Sequence, residues 1–498
     1  MSEPQLPLQQ DGPFVGMLAN SRVNTPQGFV TFLKNYFVRD GEIVGRRGLS
    51  TMGSAIGGGN DVQGIVQWQM LNGTQYTCAF ANGDLYIYDW TGGTWTAYDI
   101  SAAGGPTVST TGDINCAISR GRLVCTDGVN KPFMITGPVA GITYTELTLA
   151  PVSHRVGVYY DKVFFWDING YENEFQWSDE GNPAAGYSGS DQAWEFAQTD
   201  AGRILGMAPL NERNVILKED SATMLMGAVD ENFSTLAVRE GLSETEGTVA
   251  GGSVAILDGD VYCISVNGPR IIQKGQVYLS LHDVQGVDYL RDVWSDVNLA
   301  QISSSLVWVD TEAKMIGWLI PKAGETTLYR SLVFQQETAS WTTFEFAGLS
   351  ITACGTVEDG SGQTWVLFGD ADGLVYKYRI GASVYSDKTT TAIERIIRGR
   401  LMGGEQPSLQ KRLLETQFQF YLDTDFHGEI RPYVDGTVLA GKRFGLHDIT
   451  GKKVYRRGFN SVGYRVGWEI FSNDLAQTLT LTSALTFMGA VGMTSNWH

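Results

Sequence analysis

The sequence predicts an all-β protein, a β-propeller with an additional β-sandwich-like platform domain. Three observations predict it. The stretch from Ser253 to Ser280 reads as three short apolar strands, Val254 to Leu257, Val261 to Ile264, and Ile271-Ile272 through Val277-Tyr278. They are separated by Asp258-Gly259 and Asn267-Gly268. Asp-Gly and Asn-Gly reach positive φ cheaply and are strong hairpin signals. The chain also carries 60 Gly beside 21 Tyr, 22 Phe and 13 Trp, many turns with many strand-favouring aromatics. Apolar stripes of period 3.6 are nearly absent, and no segment reads as a helix longer than about three turns. A short meander of this kind, repeated, builds propeller blades.

A chain of 498 residues exceeds one compact core, so two or three units are expected. With 43% hydrophobic and 18% charged residues it is globular in composition. The five cysteines, Cys78, Cys116, Cys125, Cys263 and Cys354, are odd in number, scattered, and mostly inside apolar runs. Buried reduced thiols are expected from that pattern. The first residues, MSEPQLPLQQDG, contain neither the basic nor the apolar region of a secretory signal. No apolar run approaches the ~20 residues of a membrane-spanning helix. Without a secretory signal the sequons at Asn72 and Asn232 carry no weight. Synthesis and folding in a reducing cytoplasm are expected.

The net charge of −18 is unevenly spread. Residues 391–498 hold 13 Lys and Arg against 10 Asp and Glu, a net +3, leaving 23 against 44 in residues 1–390, a net −21. A surface this acidic does not hold nucleic acid by counterion release and lets it pass without adhesion.

Residues 1–60 read as an N-terminal arm with one strand pair, Asn35-Tyr36-Phe37-Val38 and Glu42-Ile43-Val44 around Asp40-Gly41, closed by Arg46-Arg47-Gly48. Ala55 to Asn60, rich in glycine, reads as a flexible linker. Residues 61–390 read as the propeller. Turn-Gly, aliphatic, Tyr recurs at Gly83 to Tyr88, Gly259 to Tyr262 and Gly373 to Tyr378. Thr94-Trp95-Thr96-Ala97-Tyr98-Asp99-Ile100 matches Ser340-Trp341-Thr342-Thr343-Phe344-Glu345-Phe346 in residue type, each reading as a strand that closes a sheet. Leu123 to Cys125, Val163 to Trp166, Val215 to Leu217 and Trp365 to Phe368 are further strands. Recurrence without a strict period fits a degenerate propeller, with two or more β-sandwiches in series as the competing reading. Residues 391–498 read as a separate C-terminal β-domain. It contains the strands Gln417 to Tyr421 and Glu429 to Val434, the basic run Lys452 to Arg457, and a long strand from Leu479 through Phe487.

Motifs that would carry chemistry are incomplete. Gly436 to Lys442 has the spacing of a phosphate loop, but Arg443 replaces its Ser or Thr and strands flank it. Asp423-x-Asp425-x-His427-Gly428 begins like a calcium loop, yet Val434 stands where the bidentate Glu belongs, and Asp370-x-Asp372-Gly373 is a similar fragment. The five histidines, His154, His282, His427, His447 and His498, lack metal spacing. Gly186 to Ser190 lacks the second Gly of a nucleophile elbow, and Trp177 to Gly181 is an isolated, mis-spaced version of a sialidase turn. No catalytic, cofactor-binding or metal-binding residue is nominated. No cofactor and no enzymatic activity are expected.

Several short motifs in order resemble the tail nozzle proteins of short-tailed, podovirus-type bacteriophages, also described as packaged-DNA stabilisation or tail accessory proteins. These are Asn35-Tyr36-Phe37-Val38-x-Asp40-Gly41-x-Ile43-x-x-Arg46-x-Gly48, and Leu123 to Asn130 with Pro132. They continue with Phe175-Gln176-Trp177-Ser178 with Trp194, and Gly247-Thr248-Val249-Ala250 leading into the meander. The resemblance spans the whole chain and transfers no catalytic residue. It implies a virion protein made in the host cytoplasm, forming a ring, commonly of six, below the portal and its adaptor. Its propellers would surround the channel through which the genome leaves. A ring of six would carry roughly −108, six times the single-chain −18.

The resemblance implies as partners further copies of the chain, the head-to-tail adaptor, tail fibre or tailspike and tail needle or tip proteins, and viral DNA passing without specific binding. The competing function is a propeller that binds or cleaves glycans at a host surface, which calls for a carboxylate-lined pocket on the propeller axis. For assembly the expected contacts are Arg395, Arg398, Arg400, Arg456 and Arg457, since acidic propellers repel one another and only the C-terminal segment is net positive.

Overall fold

The computed structural model describes residues 9–19, 27–187, 192–195, 202–210, 213–226, 238–274, 280–380, 382, 384, 386–388, 391–400, 402, 410–422, 426–446, 451–473 and 479–490. Among these, strands dominate and the α-helix is the single turn Arg291–Trp294.

From residue 62 to residue 378 the strands form seven antiparallel sheets, at 62–98, 115–146, 153–195, 204–243, 255–283, 306–345 and 351–378, here blades 1 to 7. First strands of successive blades contact one another around an axis, except that Ile204–Leu210 of blade 4 meets Asp260–Ser265, the second strand of blade 5. The first strand of blade 7, Ile351–Glu358, meets Val62–Gln69 of blade 1. Thr352 Oγ1 donates to the Val62 carbonyl at 2.8 Å there, and the ring closes as a β-propeller.

The second strand of a blade is flanked by a strand on each side and by a neighbouring blade on each face. It therefore reads as an unbroken apolar run rather than an alternating one. Lys162–Ile168 and Met315–Ile320 are buried at every position. The apolar runs at Leu123, Val163, Val215 and Trp365 all lie on second strands. The Tyr-containing repeat does not keep blade register. Asp84–Asp89 and Val375–Tyr378 are third strands, whereas Asp260–Ser265 is a second strand. In the opening meander Asp258 and Gly259 turn at φ 51° and 84°. The following turn uses Val266-Asn267, since Gly268 already pairs with Ser265. Val277-Tyr278 lies outside the described residues, and the fourth strand is His282–Asp283.

The two Trp-containing strands are both fourth strands. Thr94–Tyr98 is an exposed edge, but Ser340–Glu345 is buried because blade 6 continues past it. Phe32–Lys34 pairs parallel to it at Lys34 and Thr343, then antiparallel to Arg395–Arg398. Beyond these come Val466–Ser472 and Phe426–Val434, giving a ten-stranded sheet. A second sheet runs Gly451–Gly463, Lys411–Leu422, Leu479–Ala490, Glu42–Gly45, Tyr36–Arg39, with Gln9–Asp11 also on Leu479–Ala490. The two sheets face each other across Leu413, Phe418, Phe420, Ile430, Trp468, Ile470 and Leu481, a β-sandwich whose core is continuous with blades 5 and 6.

The N-terminal arm expected at residues 1–60 therefore needs correction. Gly16–Met17 and Phe29–Val30 pair with each other. Its other described strands are built into the sandwich, into the continuation of blade 6, and into blade 7, where Ser50–Thr51 is the outer strand against Val375–Tyr378. The expected linker at Ala55 to Asn60 is also not a loose tether. Ile56 is buried and its N–H donates to the Gly373 carbonyl at 2.8 Å. Gly57 sits at φ 62°, where a Cβ would lie 2.6 Å from that of Ala81. Nor does the C-terminal domain begin as a separate body at residue 391, because its sheet and blade 6 are one sheet.

Candidate functional site

The expected assembly arginines fall into two groups. Arg395 and Arg398 lie on the strand that joins blade 6 to the sandwich. Arg395 is fully buried and its Nη2 donates to the Arg46 carbonyl at 3.3 Å. Burial pulls its guanidinium down to about 10. It is inaccessible to another chain, so its expected role as an interface contact is corrected to an internal one. Arg398 is likewise engaged within the chain. Its Nη2 and Nε donate to Glu469 Oε2 at 2.6 and 2.9 Å, and its guanidinium lies over the rings of Tyr433 and Phe32 at 4.9 and 5.5 Å. Arg400, just beyond that strand, is half-buried.

Beside Arg395 lies a buried arrangement that sequence reasoning did not nominate. Arg46 has no exposed surface. Its Nη1 and Nη2 donate to Asp387 Oδ1 and Oδ2 at 3.0 and 2.6 Å, and its Nε donates to Asn35 Oδ1 at 2.7 Å. Its guanidinium also lies 4.9 Å from the ring centre of Phe346. Asn35, at φ 59°, adds a bond from Nδ2 to the Glu394 carbonyl at 2.7 Å. A paired, fully hydrogen-bonded guanidinium is the form in which a buried charge is tolerated. The available signal was Arg46-Arg47-Gly48 after an apolar hairpin. Gly48 lacks a Cβ because one there would collide with the Ser386 carbonyl oxygen, which brings Asp387 within reach of Arg46. Nearby, burial alone would lower the Lys34 ammonium, but Glu345 and Glu394 outweigh it and hold it above its ordinary value.

Arg456 and Arg457 have a different setting. They lie on Gly451–Gly463, the end strand of its sheet, whose outer side pairs with nothing among the described residues. Val454, Arg456, Gly458, Asn460 and Val462 form the exposed row, and Tyr455, Arg457 and Phe459 the half-buried one. Tyr455 anchors the strand against Phe444, ring centres 5.0 Å apart. Val454 is 61% exposed, and Tyr421, paired across from Lys452, is 45% exposed. A long edge with exposed apolar and basic side chains is suited to pairing with another chain.

On the propeller axis two small cavities, about 280 and 120 Å3, lie between first strands. Arg155 lines the larger, and among the described residues Asp113 is the one carboxylate lining either. No group of three or more His, Cys, Asp or Glu among the described residues is placed to hold a metal. The phosphate-loop spacing resolves into a hairpin turn at Asp435-Gly436, φ 47° and 87°. Asp370 uses its carboxylate on the N–H groups of Asp372 and Leu374, at 3.0 and 2.9 Å, to shape a turn. Asp423 to Asp425 and Ser188 to Ser190 lie outside the described residues. No described helix is long and apolar enough to cross a membrane.

No family model matches the chain, and no curated protein matches it. Solved structures are similar at low identity. YCF48 from Cyanidioschyzon merolae aligns with TM-score 0.42 and 9% identity, over 67% of this chain and 99% of that one. The β-propeller domain of Cps50 (Swd1) from Myceliophteria thermophila aligns with TM-score 0.43 and 10% identity, over 65% and 98%. PorZ, a surface component of the type-IX secretion system of Porphyromonas gingivalis, aligns with TM-score 0.40 and 13% identity, over 80% of this chain but 46% of its own. Likenesses of this size concern the arrangement of the backbone alone.

Proposed function

We propose that the chain is a structural virion protein, a subunit of the tail nozzle ring of a short-tailed bacteriophage. The ring would form the distal DNA conduit below portal and adaptor, retain the packaged genome and allow its ejection. The observation that carries this reading is the division of charge over the fold. Residues 1–390 hold the acidic excess, while the basic run is set on Gly451–Gly463, an edge strand whose outer side pairs with nothing among the described residues. Acidic propellers placed side by side repel, and contacts to a basic, hydrogen-bond-competent edge offset that repulsion. An acidic wall facing the channel favours passage of DNA over adhesion. The order of motifs along the chain supports the same family. Within it, the segment Arg46-x-Gly48 has a clear physical role in joining propeller to sandwich.

The competing glycan-cleaving reading draws less support. Glycoside hydrolysis ordinarily uses two positioned carboxylates, and the axial cavities offer Asp113. In the preferred reading the partners are further copies of the chain, the adaptor above, and tail fibre or tailspike and needle or tip proteins. The protein resides in the virion tail. The test compares Arg456→Glu/Arg457→Glu with Val454→Asp/Arg456→Glu, the latter confined to exposed positions. Both should fold yet fail to dock on virus particles lacking this protein. Undiminished docking by both would overturn the reading of this edge.

A further inference from the structure

Cys116 and Cys125 stand directly opposite one another on Asn115–Ser119 and Arg122–Thr126, the first two strands of blade 2. The hairpin turns in two residues, Arg120 and Gly121, at φ 48° and 73°. Ser119 and Arg122 are then the hydrogen-bonded pair that closes the turn. Pairs alternate along an antiparallel ladder, so Ile118 with Leu123 is non-bonded, Ala117 with Val124 bonded, and Cys116 with Cys125 non-bonded. Non-bonded pairs are the close kind, with Cα atoms ~4.5 Å apart, inside the ~4.4–6.8 Å that a disulfide requires.

The two sulfurs lie 2.7 Å apart, and both residues are free thiols. Cys125 is fully buried, whereas Cys116 is partly exposed. Cys116, the more exposed of the two, is the sulfur that an external oxidant meets first, while burial pushes the Cys125 thiol well above its ordinary value. Cys78, in blade 1, belongs to the same apolar cluster, but its Sγ lies 3.9 Å from the Tyr76 carbonyl, with which it bonds.

We propose that Cys116 and Cys125 are a cross-strand dithiol that closes to a disulfide when the folded protein meets hydrogen peroxide. The Cys116 thiolate attacks one peroxide oxygen, the O–O bond breaks, and a sulfenic acid and one water result. The Cys125 sulfur, losing its proton, then attacks the Cys116 sulfur and expels a second water. Two thiols lose two electrons and two protons, and the peroxide is reduced to two waters. The bond would staple the first hairpin of blade 2 after the protein leaves a reducing compartment. This inference rests on the strand register, the sulfur separation and the exposure of Cys116, and does not depend on the nozzle reading.

The test treats the reduced, folded full chain with hydrogen peroxide, blocks remaining thiols with N-ethylmaleimide after denaturation, and digests with trypsin. Arg120 and Arg122 lie between the two cysteines, so cleavage places them on separate peptides. Cys78 shares the tryptic peptide of Cys116, so the expected product is the two peptides joined, two hydrogens lighter than their sum plus one N-ethylmaleimide. Fragmentation should place that adduct on Cys78, with Cys263 and Cys354 also blocked as thiols. Cys116→Ser should abolish the joined species, and Cys78→Ser should leave it intact. Blocked Cys125 in the oxidised wild-type chain, further oxidation of Cys116 to a sulfinic acid, or a bond to Cys78 instead would each overturn the proposal.

Discussion

Arg46 and Asp387, separated by 341 residues in sequence, form a two-pronged ion pair at 3.0 and 2.6 Å with both side chains wholly buried. Arg46 follows the hairpin that enters the sandwich, and Asp387 lies in the segment leaving blade 7, so the pair ties the two halves of the molecule together. Removing one partner leaves an uncompensated buried charge, so Asp387→Ala is expected to cost ~3–5 kcal/mol in urea unfolding. Arg46→Met/Asp387→Leu should cost clearly less than the sum of the two single changes. Additive losses would show that the pair is not coupled.

Gly48→Ala should be destabilising although it adds one methyl group. The new Cβ would collide with the Ser386 carbonyl oxygen, and the displaced strand would also strain the bond from the Gly48 N–H to the Val384 carbonyl, 2.7 Å long. A loss of ~1–3 kcal/mol is expected, within the usual range for overpacking. Unchanged stability on thermal unfolding would place slack at this seam that the structure does not have.

Deleting residues 1–52 should abolish folding of the whole chain rather than trim an arm. The deletion removes the Phe32–Lys34 strand between blade 6 and the sandwich and the Ser50–Thr51 outer strand of blade 7. In the intact protein, limited proteolysis should spare Gly57 to Asn60, where Ile56 and the Gly373 carbonyl fix the backbone. Early cleavage at those glycines, or a soluble truncated protein with native circular dichroism, would contradict this interlocking.

The second strands were legible in the sequence because burial on both faces leaves an unbroken apolar run, as at Val163 to Trp166. The N-terminal strands were not. Phe32–Lys34 has three residues and Ser50–Thr51 two, and their partners lie more than three hundred residues away. No local periodicity records such a pairing. Charge counts marked 391–498 as basic but not which arginines face solvent. Arg395 and Arg456 look alike in sequence, yet one is buried under Tyr36 and Arg46 and the other is exposed. The exposed edge was visible as Lys452 to Arg457, and its place at the end of a sheet was not.

Stability should fall in alkaline solution. Burial raises the Cys263 thiol from 9.0 to about 12, and burial raises the phenols of Tyr36 and Tyr378 above their usual value of 10. A group whose folded pKa is raised stabilises the fold below its unfolded pKa and loses that contribution as pH climbs toward the folded value. The loss therefore begins near pH 9 and deepens above pH 10. Phenolate absorbance of the buried tyrosines should rise together with loss of circular dichroism. Full phenolate titration in a still-folded protein would contradict the burial.

The proposed assembly into a ring is tested most directly by the mass and shape of the purified protein. Light scattering over a concentration series, with negative-stain images of the same samples, should show closed rings of about six copies, the number the family resemblance implies. Arg456→Glu/Val454→Asp should remain single chains of unchanged fold. A wild-type protein that keeps the mass of one chain, 54.5 kDa, at every concentration and shows no ring in any image would contradict the account.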